Sequence, residues 1–139
     1  MANSKIDIRT DKQLEKDILG CLLFDANGLE NESVAKLKHS DFQYKSHQIL
    51  FNTITELYNS NQTVDTTTVT SKLNEIDKLE RVGGAYWVDG LITENLIITS
   101  NLPAYADKLT ENTKHNIQMG LAEDVLLGKK DFSELIKTE

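Results

Sequence analysis

Cysteine, proline and aromatic residues are scarce in this chain, and each shortage limits what it can be. The single cysteine, Cys21, excludes an intrachain disulfide bond. Its place in the apolar run from Ile18 to Phe24 predicts a small core residue rather than a nucleophile. The single proline, Pro103, stands near the start of a long helical pattern, where its missing amide is tolerated.

Long apolar runs and basic clusters are missing as well. No stretch approaches the ~20 apolar residues of a membrane helix, and the N-terminus has no secretory signal segment, so we expect a cytoplasmic protein without membrane contact. The formal net charge is −7, and Lys129-Lys130 is the only pair of neighbouring cations. Because nucleic-acid binding depends on neutralised phosphates, and only 6% of residues are aromatic and able to stack on bases, no direct nucleic-acid binding is expected.

Signatures of nucleotide chemistry are also absent. A phosphate-binding loop needs two glycines at fixed spacing, a lysine and a following Ser or Thr. At the only Gly-Lys pair, Gly128-Lys129, Glu123 replaces the first glycine and Lys130 replaces the hydroxyl residue. We therefore expect no ATP or magnesium site in this chain and no ATP hydrolysis by that route.

A metal or acid–base site has little support from the residue pattern. A zinc site can be drawn from His39, His47 and Asp41, but their spacing matches no established ligand pattern. His47 stands at the start of an amphipathic helical pattern, which favours a packing and hydrogen-bonding role. The acidic pairs lie in predicted turns or on polar faces, which indicates solvated surface charge. No catalytic, cofactor-binding or metal-binding residue is predicted.

Apolar residues recur at helical spacing through most of the chain. Thr10 with Gln13 fits a capping box at the start of the first helix, and Ser46 is a candidate cap for a later one. The segment 63–70 is rich in β-branched residues, as strands are. However, Asp65 is a good N-cap, and the apolar spacing after it predicts a helix from Thr66 to about Asp77. The residues that set this spacing are Val69, Leu73 and Ile76.

A long helix is predicted behind Ser100 or Asn101, either of which can cap it, and Gly128 is placed to end it. At 1.5 Å per residue, a ~25-residue helix is about 37 Å long, more than a small globular body can cover. Its distal half, from Ile117 to Leu127, therefore needs another partner, most naturally a second chain. We expect three segments: a flexible N-terminus over 1–9, a globular helical domain over 10–100, and a C-terminal segment over 101–139 that contains the long helix.

Several short stretches, in this order, resemble one known family. They are EKDILG at 15–20, DFQYKSHQILF at 41–51, VDTTTVTSKL at 64–73, LERVGGAYWVDGL at 79–91 and NLPAYAD at 101–107. Together they resemble the N-terminal domain of bacterial and phage replicative DNA helicases of the DnaB family. The similarity extends over roughly residues 10 to 127.

The resemblance implies an all-α globular body followed by a helical hairpin, and a domain that performs no chemistry. In such helicases the hairpins pair subunits, and three pairs form a collar on a hexamer. The collar docks the primase C-terminal domain, and helicase loaders act nearby. ATP and magnesium are expected only in the motor domain that comes after the hairpin in those proteins. This chain stops at Glu139, where the second hairpin arm begins, so we expect a fragment of a longer protein.

The candidate surface for partners or self-association combines two regions. Trp87 replaces a tyrosine usual in the family, and a large aromatic residue beside a glycine turn often anchors a partner. The other region is the apolar stripe of the long helix. The candidate residues are Trp87, Tyr86, Leu109, Ile117, Leu121 and Val125.

Two alternative functions stay open at the level of sequence. The first is a stand-alone phage or plasmid regulator that mimics the helicase collar and binds host helicase or primase. The second is a small helical enzyme unrelated to replication, which magnesium-dependent nucleotide turnover by this chain would indicate.

Overall fold

The structure is a computed structural model that describes the backbone of residues 11–126 and the side chains of residues 11–120. Within that part every regular element is helical, which confirms the predicted all-α fold. None of these helices is long and apolar enough to cross a membrane. The α-helices are α1 (Lys12–Phe24), α2 (Glu32–Ala35), α3 (Lys45–Asn59), α4 (Thr66–Glu75), α5 (Leu79–Val82), α6 (Gly84–Thr93) and α7 (Leu102–Leu126), and 3₁₀ turns lie at Ala26–Glu30, His39–Asp41 and Thr99–Asn101.

The compact unit Asp11–Leu109 is built around α1 and α3. α1 packs against α3 and α6, and α3 also packs against α4 and α5. Its fully buried side chains include Ile18, Leu22, Phe42, Leu50, Ile54, Leu73 and Leu91. The unit takes in the first two turns of α7, up to Leu109. From Thr110 onward, α7 lies outside this unit.

Helix α6 approaches α1 closely at Gly20. A Cβ atom at this position would lie 2.7 Å from the backbone oxygen of Leu91 and 2.9 Å from Ile97 Cδ1. Real Cβ atoms essentially never come so near to another heavy atom, so the missing side chain is what lets the two helices meet here. Gly20 thereby sets where α6 sits on the core.

The helix predicted from Thr66 is confirmed as α4, in spite of its β-branched residues. The Asp65 carboxylate accepts the backbone N–H of Thr68 at 2.8 Å. In return, the Thr68 hydroxyl accepts the N–H of Asp65 at 3.0 Å. This reciprocal cap satisfies two amides that have no partner within the helix. α4 therefore begins at a fixed position beside α6.

The turn between α5 and α6 depends on Gly83. With φ at 120°, Gly83 ends α5 in the left-handed region that glycine adopts at little steric cost. α6 begins at the next residue. α5 was not predicted from the sequence, because four residues are too few to show a helical period.

Two predicted helix caps were wrong by one or two residues. α1 is capped by Asp11, whose carboxylate accepts the N–H of Leu14 at 3.0 Å, rather than by Thr10. α3 begins at Lys45 behind Tyr44, and Ser46 lies inside it. The predicted flexible segment 1–9, the helix end at Gly128 and the second hairpin arm expected where the chain stops lie outside the described residues.

Cys21 is 1% exposed, which confirms the predicted core position. Burial raises the pKa of its thiol, and the nearby carboxylate of Asp17 raises it further. Because the thiolate is the reactive form, we expect native protein to resist Ellman's reagent at neutral pH and to react fully once unfolded in guanidinium chloride. A Ser40→Cys variant, with an added thiol at an exposed position, should react at once. Prompt labelling of Cys21 in the native wild-type chain would contradict this expectation.

Candidate interaction surface

Helix α6 turns one face to the core and displays an aromatic residue on the other. Val88 and Leu91 are buried, whereas Tyr86 is 84% exposed, the most exposed large hydrophobic side chain of the described part. Exposed aromatic residues of this size are common energetic anchors at protein interfaces. The structure therefore makes Tyr86, more than its neighbour, the accessible aromatic residue of this surface.

Trp87 lies half-buried behind that surface. Its ring stacks on the imidazole of His47, with ring centroids 5.7 Å apart and an interplanar angle of 21°. It also packs against the hydrophobic core. Trp87 consequently ties α6 to α3, so its removal would alter the core as well as any contact surface.

Behind Trp87, a buried hydrogen-bonded pair joins α1 to α3. Glu15 and His47 are both 0% exposed, and Oε1 of Glu15 lies 2.7 Å from Nδ1 of His47. Oε2 accepts the backbone N–H of Gln43 at 2.8 Å. An ionised carboxylate only accepts hydrogen bonds, so Nδ1 of His47 is the donor when Glu15 is ionised. The predicted packing and hydrogen-bonding role of His47 is confirmed.

The role of Glu15 was not predicted from the sequence, although a signal for it was present. Glu15 shares the i, i+3, i+4, i+7 stripe of Ile18, Leu19 and Leu22, which places it on the buried face of α1. A carboxylate on such a face needs a buried partner. In the structure that partner is His47 of α3.

Two grooves flank the exposed tyrosine. The α4–α6 groove has a volume of about 740 Å³. The α1–α6 groove, lined by Lys16, Gly83, Trp87 and Glu94 among others, has about 270 Å³. Tyr86 lines both, so it forms the ridge between them. The α4–α6 groove is lined by Thr66, Thr67, Thr70, Ser71, Asn74, Leu79, Ala85, Tyr86 and Asp89.

The candidate residues of the long helix differ from one another in exposure. Leu109 is 2% exposed and belongs to the hydrophobic core, so it offers no free face to a partner. Ile117 is 40% exposed, as a contact residue should be. Leu121 and Val125 lie outside the residues whose side chains are described.

The histidines and acids of the described part do not gather into a metal site. No group of three or more His, Cys, Asp or Glu side chains lies close enough there to hold an ion. Two of the three residues considered for a zinc site are hydrogen-bonded within the fold. Nδ1 of His47 is hydrogen-bonded to Glu15, and Asp41 accepts the backbone N–H of Lys38 at 2.8 Å. Both serve the fold.

Known proteins resemble this chain across most of the described part. A family model described as the DnaB-like helicase N terminal domain matches residues 8–111. The matched segment contains Glu15, His47 and Trp87 and ends within α7, so Ile117 lies beyond it.

Two curated relatives and one solved structure are similar to the chain. The replicative DNA helicase DnaB of Buchnera aphidicola subsp. Baizongia pistaciae is 30% identical over 109 residues, which make up 78% of this chain and 23% of the relative. The replicative DNA helicase DnaC of Bacillus subtilis is 31% identical over 102 residues, or 73% of this chain and 22% of the relative. The chain thus spans less than a quarter of either relative.

The solved structure is the crystal structure of the N-terminal domain of DnaB helicase from Mycobacterium tuberculosis. It superposes with a TM-score of 0.79 and 24% sequence identity, covering 87% of this chain and 85% of that one. At this identity the match establishes the fold.

Proposed function

Because the chain belongs to the family of DnaB-like helicase N-terminal domains, we propose that it is a non-catalytic assembly and docking module of a replicative DNA helicase. The family match over residues 8–111 carries this proposal. In it, the domain helps subunits associate into a hexamer and receives the primase C-terminal domain or a helicase loader.

The docking part of the proposal rests on α6. Tyr86 is largely exposed on a ridge between two grooves, while the helix beneath it is anchored through Gly20 and Trp87. A rigid helix that presents an aromatic residue beside concave surface is a common arrangement at interfaces, because little side-chain entropy is lost on binding.

The self-association part rests on α7. This helix runs for 25 residues, Leu102–Leu126. Its first turns are used in the core of the compact unit through Leu102, Ala106 and Leu109, whereas Ile117 keeps 40% of its side-chain surface exposed. We place the subunit contact on the part of α7 that includes Ile117.

We propose no catalytic residue, cofactor or metal for this domain, no direct contact with nucleic acid or membrane, and action in the cytoplasm. The acidic net charge of −7 supports the exclusion of nucleic acid. The alternative, a stand-alone regulator that mimics the collar, is not favoured, since the two curated relatives are themselves replicative helicases.

Docking is tested by titration calorimetry of the chain with the C-terminal domain of the cognate primase. We expect binding, and Tyr86→Ala should weaken it by more than about 1 kcal/mol, the loss that marks an energetically important interface residue. Tyr86 is chosen over Trp87 because Trp87→Ala would also disturb the core through its stack on His47. Sedimentation velocity on the same samples measures self-association.

The matched control is Phe24→Ala, which removes another exposed aromatic ring, 64% exposed at the end of α1. This variant should bind like the wild type. Equal weakening by the two alanine variants would argue against a specific docking role for α6. If the wild-type chain shows neither binding heat nor any species larger than a monomer, the proposed function fails for this domain.

A further inference from the structure

The α4–α6 groove is lined almost entirely by uncharged residues. Its one charged residue is Asp89, and no Lys, Arg or His contributes to it. Leu79 and Ala85 provide apolar surface, Tyr86 forms one wall, and a row of polar side chains from α4 forms the other. At about 740 Å³ the groove has room for several side chains.

Tyr86 and Asp89 belong to the same face of α6. They are three residues apart on a helix, a spacing that puts their Cβ atoms about 5–6 Å from each other. Both are exposed, and the Asp89 carboxylate makes no hydrogen bond or ion pair within the described part of the chain. An aromatic ring and a free carboxylate at this spacing form a two-part site for a cation.

The side chains of α4 that line the groove also lack hydrogen bonds within the described residues. The side chains of Thr67, Thr70, Ser71 and Asn74 make no hydrogen bond to any other group of the described residues. Their spacing of i, i+3, i+4 and i+7 lines them up along one face of α4. Such a row supplies donors and acceptors that suit the N–H and C=O groups of an extended peptide.

We propose that the α4–α6 groove binds an extended, arginine-bearing segment of a partner protein, with the guanidinium held between the Tyr86 ring and the Asp89 carboxylate. Arginine fits better than lysine, because its planar group can stack on an aromatic ring and pair with a carboxylate at the same time. The inference rests on the proposed docking role of α6 and specifies what a partner must carry.

Charge and an internal precedent support this choice of occupant. The chain carries a net charge of −7 and Asp89 is the one charged residue of the groove, so a basic segment is attracted to this surface. The same cation–ring chemistry already occurs within the chain, where Nζ of Lys12 lies 5.2 Å from the centroid of the Tyr44 ring.

The test uses two blocked tripeptides, acetyl-Leu-Arg-Leu-amide and acetyl-Leu-citrulline-Leu-amide, titrated into the isotopically labelled chain and followed by amide NMR shifts. Citrulline keeps the shape of arginine without its charge. We expect the arginine peptide to shift resonances of α4 and of residues 85–89 of α6, with the citrulline peptide at least about twofold weaker. Tyr86→Ala and Asp89→Asn should each weaken the arginine peptide about two- to fivefold, the range of an exposed cation–π contact or ion pair.

Glu94→Gln is the matched control, because it removes one negative charge from the other groove of α6. It should leave the arginine peptide's affinity unchanged. Equal affinity for the two peptides, or equal effects of Glu94→Gln and Asp89→Asn, would overturn the inference, and so would shifts mapping outside the groove.

The two proposals fail differently. If the primase domain binds the Asp89→Asn variant at full strength and the arginine peptide leaves the groove unshifted, the inference is overturned while the docking role stands. If the peptide shifts the groove and the primase domain does not bind, the inference stands and primase docking is what fails.

Discussion

Replacing His47 by alanine is expected to remove about 3–5 kcal/mol from the free energy of unfolding, the usual effect of removing one partner of a buried, hydrogen-bonded pair. The substitution leaves the fully buried carboxylate of Glu15 without its side-chain donor, and it opens a space beneath Trp87. Domains of this size are typically stable by about 5–15 kcal/mol. Chemical denaturation followed by circular dichroism measures the loss.

His39→Ala is the matched control, because the His39 side chain is exposed and should change stability by no more than about 0.5 kcal/mol. A second variant, Glu15→Gln, keeps the shape of the side chain but replaces one of the two acceptor oxygens with an NH₂ donor. We expect it to fall between the wild type and His47→Ala. If His47→Ala unfolds at the same denaturant concentration as His39→Ala, the pair contributes little to stability.

Gly20→Ala is expected to destabilise the domain, although alanine is the better helix former by about 1 kcal/mol. The added methyl group would meet the backbone oxygen of Leu91 and the side chain of Ile97, so α1 and α6 must separate. Overpacking of this kind costs about 1–3 kcal/mol. Thermal unfolding should therefore shift down by about 3–5 °C for each kcal/mol lost.

The chain supplies an internal control for the glycine argument. Gly120 is also helical, within α7, and a Cβ atom there meets nothing within 4 Å. Gly120→Ala should thus be neutral or stabilising by about 0.5–1 kcal/mol, through reduced entropy of the unfolded chain. A shift of the same sign and size in the two variants would show that Gly20 has no special packing role.

The helices could be predicted from sequence wherever a capping residue and several apolar periods coincided. α4 is the clearest case: Asp65 and the spacing of Val69 and Leu73 outweighed the β-branched composition. α5 and the 3₁₀ turns at His39–Asp41 and Thr99–Asn101 were missed, because elements of three or four residues show no period. Ile76 was assigned to the buried stripe of α4, but the helix ends before it and the side chain is 38% exposed.

The candidate surface was only partly accessible to sequence reasoning. The segment of Tyr86 and Trp87 could be singled out by composition. The sequence could not show that Tyr86 is exposed while Trp87 packs against His47. This difference depends on where His47 stands after α3 packs against α1. The α4–α6 groove could not be anticipated either, since it exists only once α4 and α6 lie side by side. Leu109 was named as a candidate contact residue but is buried in the core, because a helical stripe does not reveal which of its turns the core covers.

The stack of Trp87 on His47 also gives the domain an optical property. Trp87 is the only tryptophan in the chain, so indole emission arises from one site, where the ring bridges α3 and α6. Its neighbour in the chain is the exposed Tyr86. The intensity and wavelength of that emission therefore report, without any added label, on the junction between the buried Glu15–His47 pair and the outer face of α6.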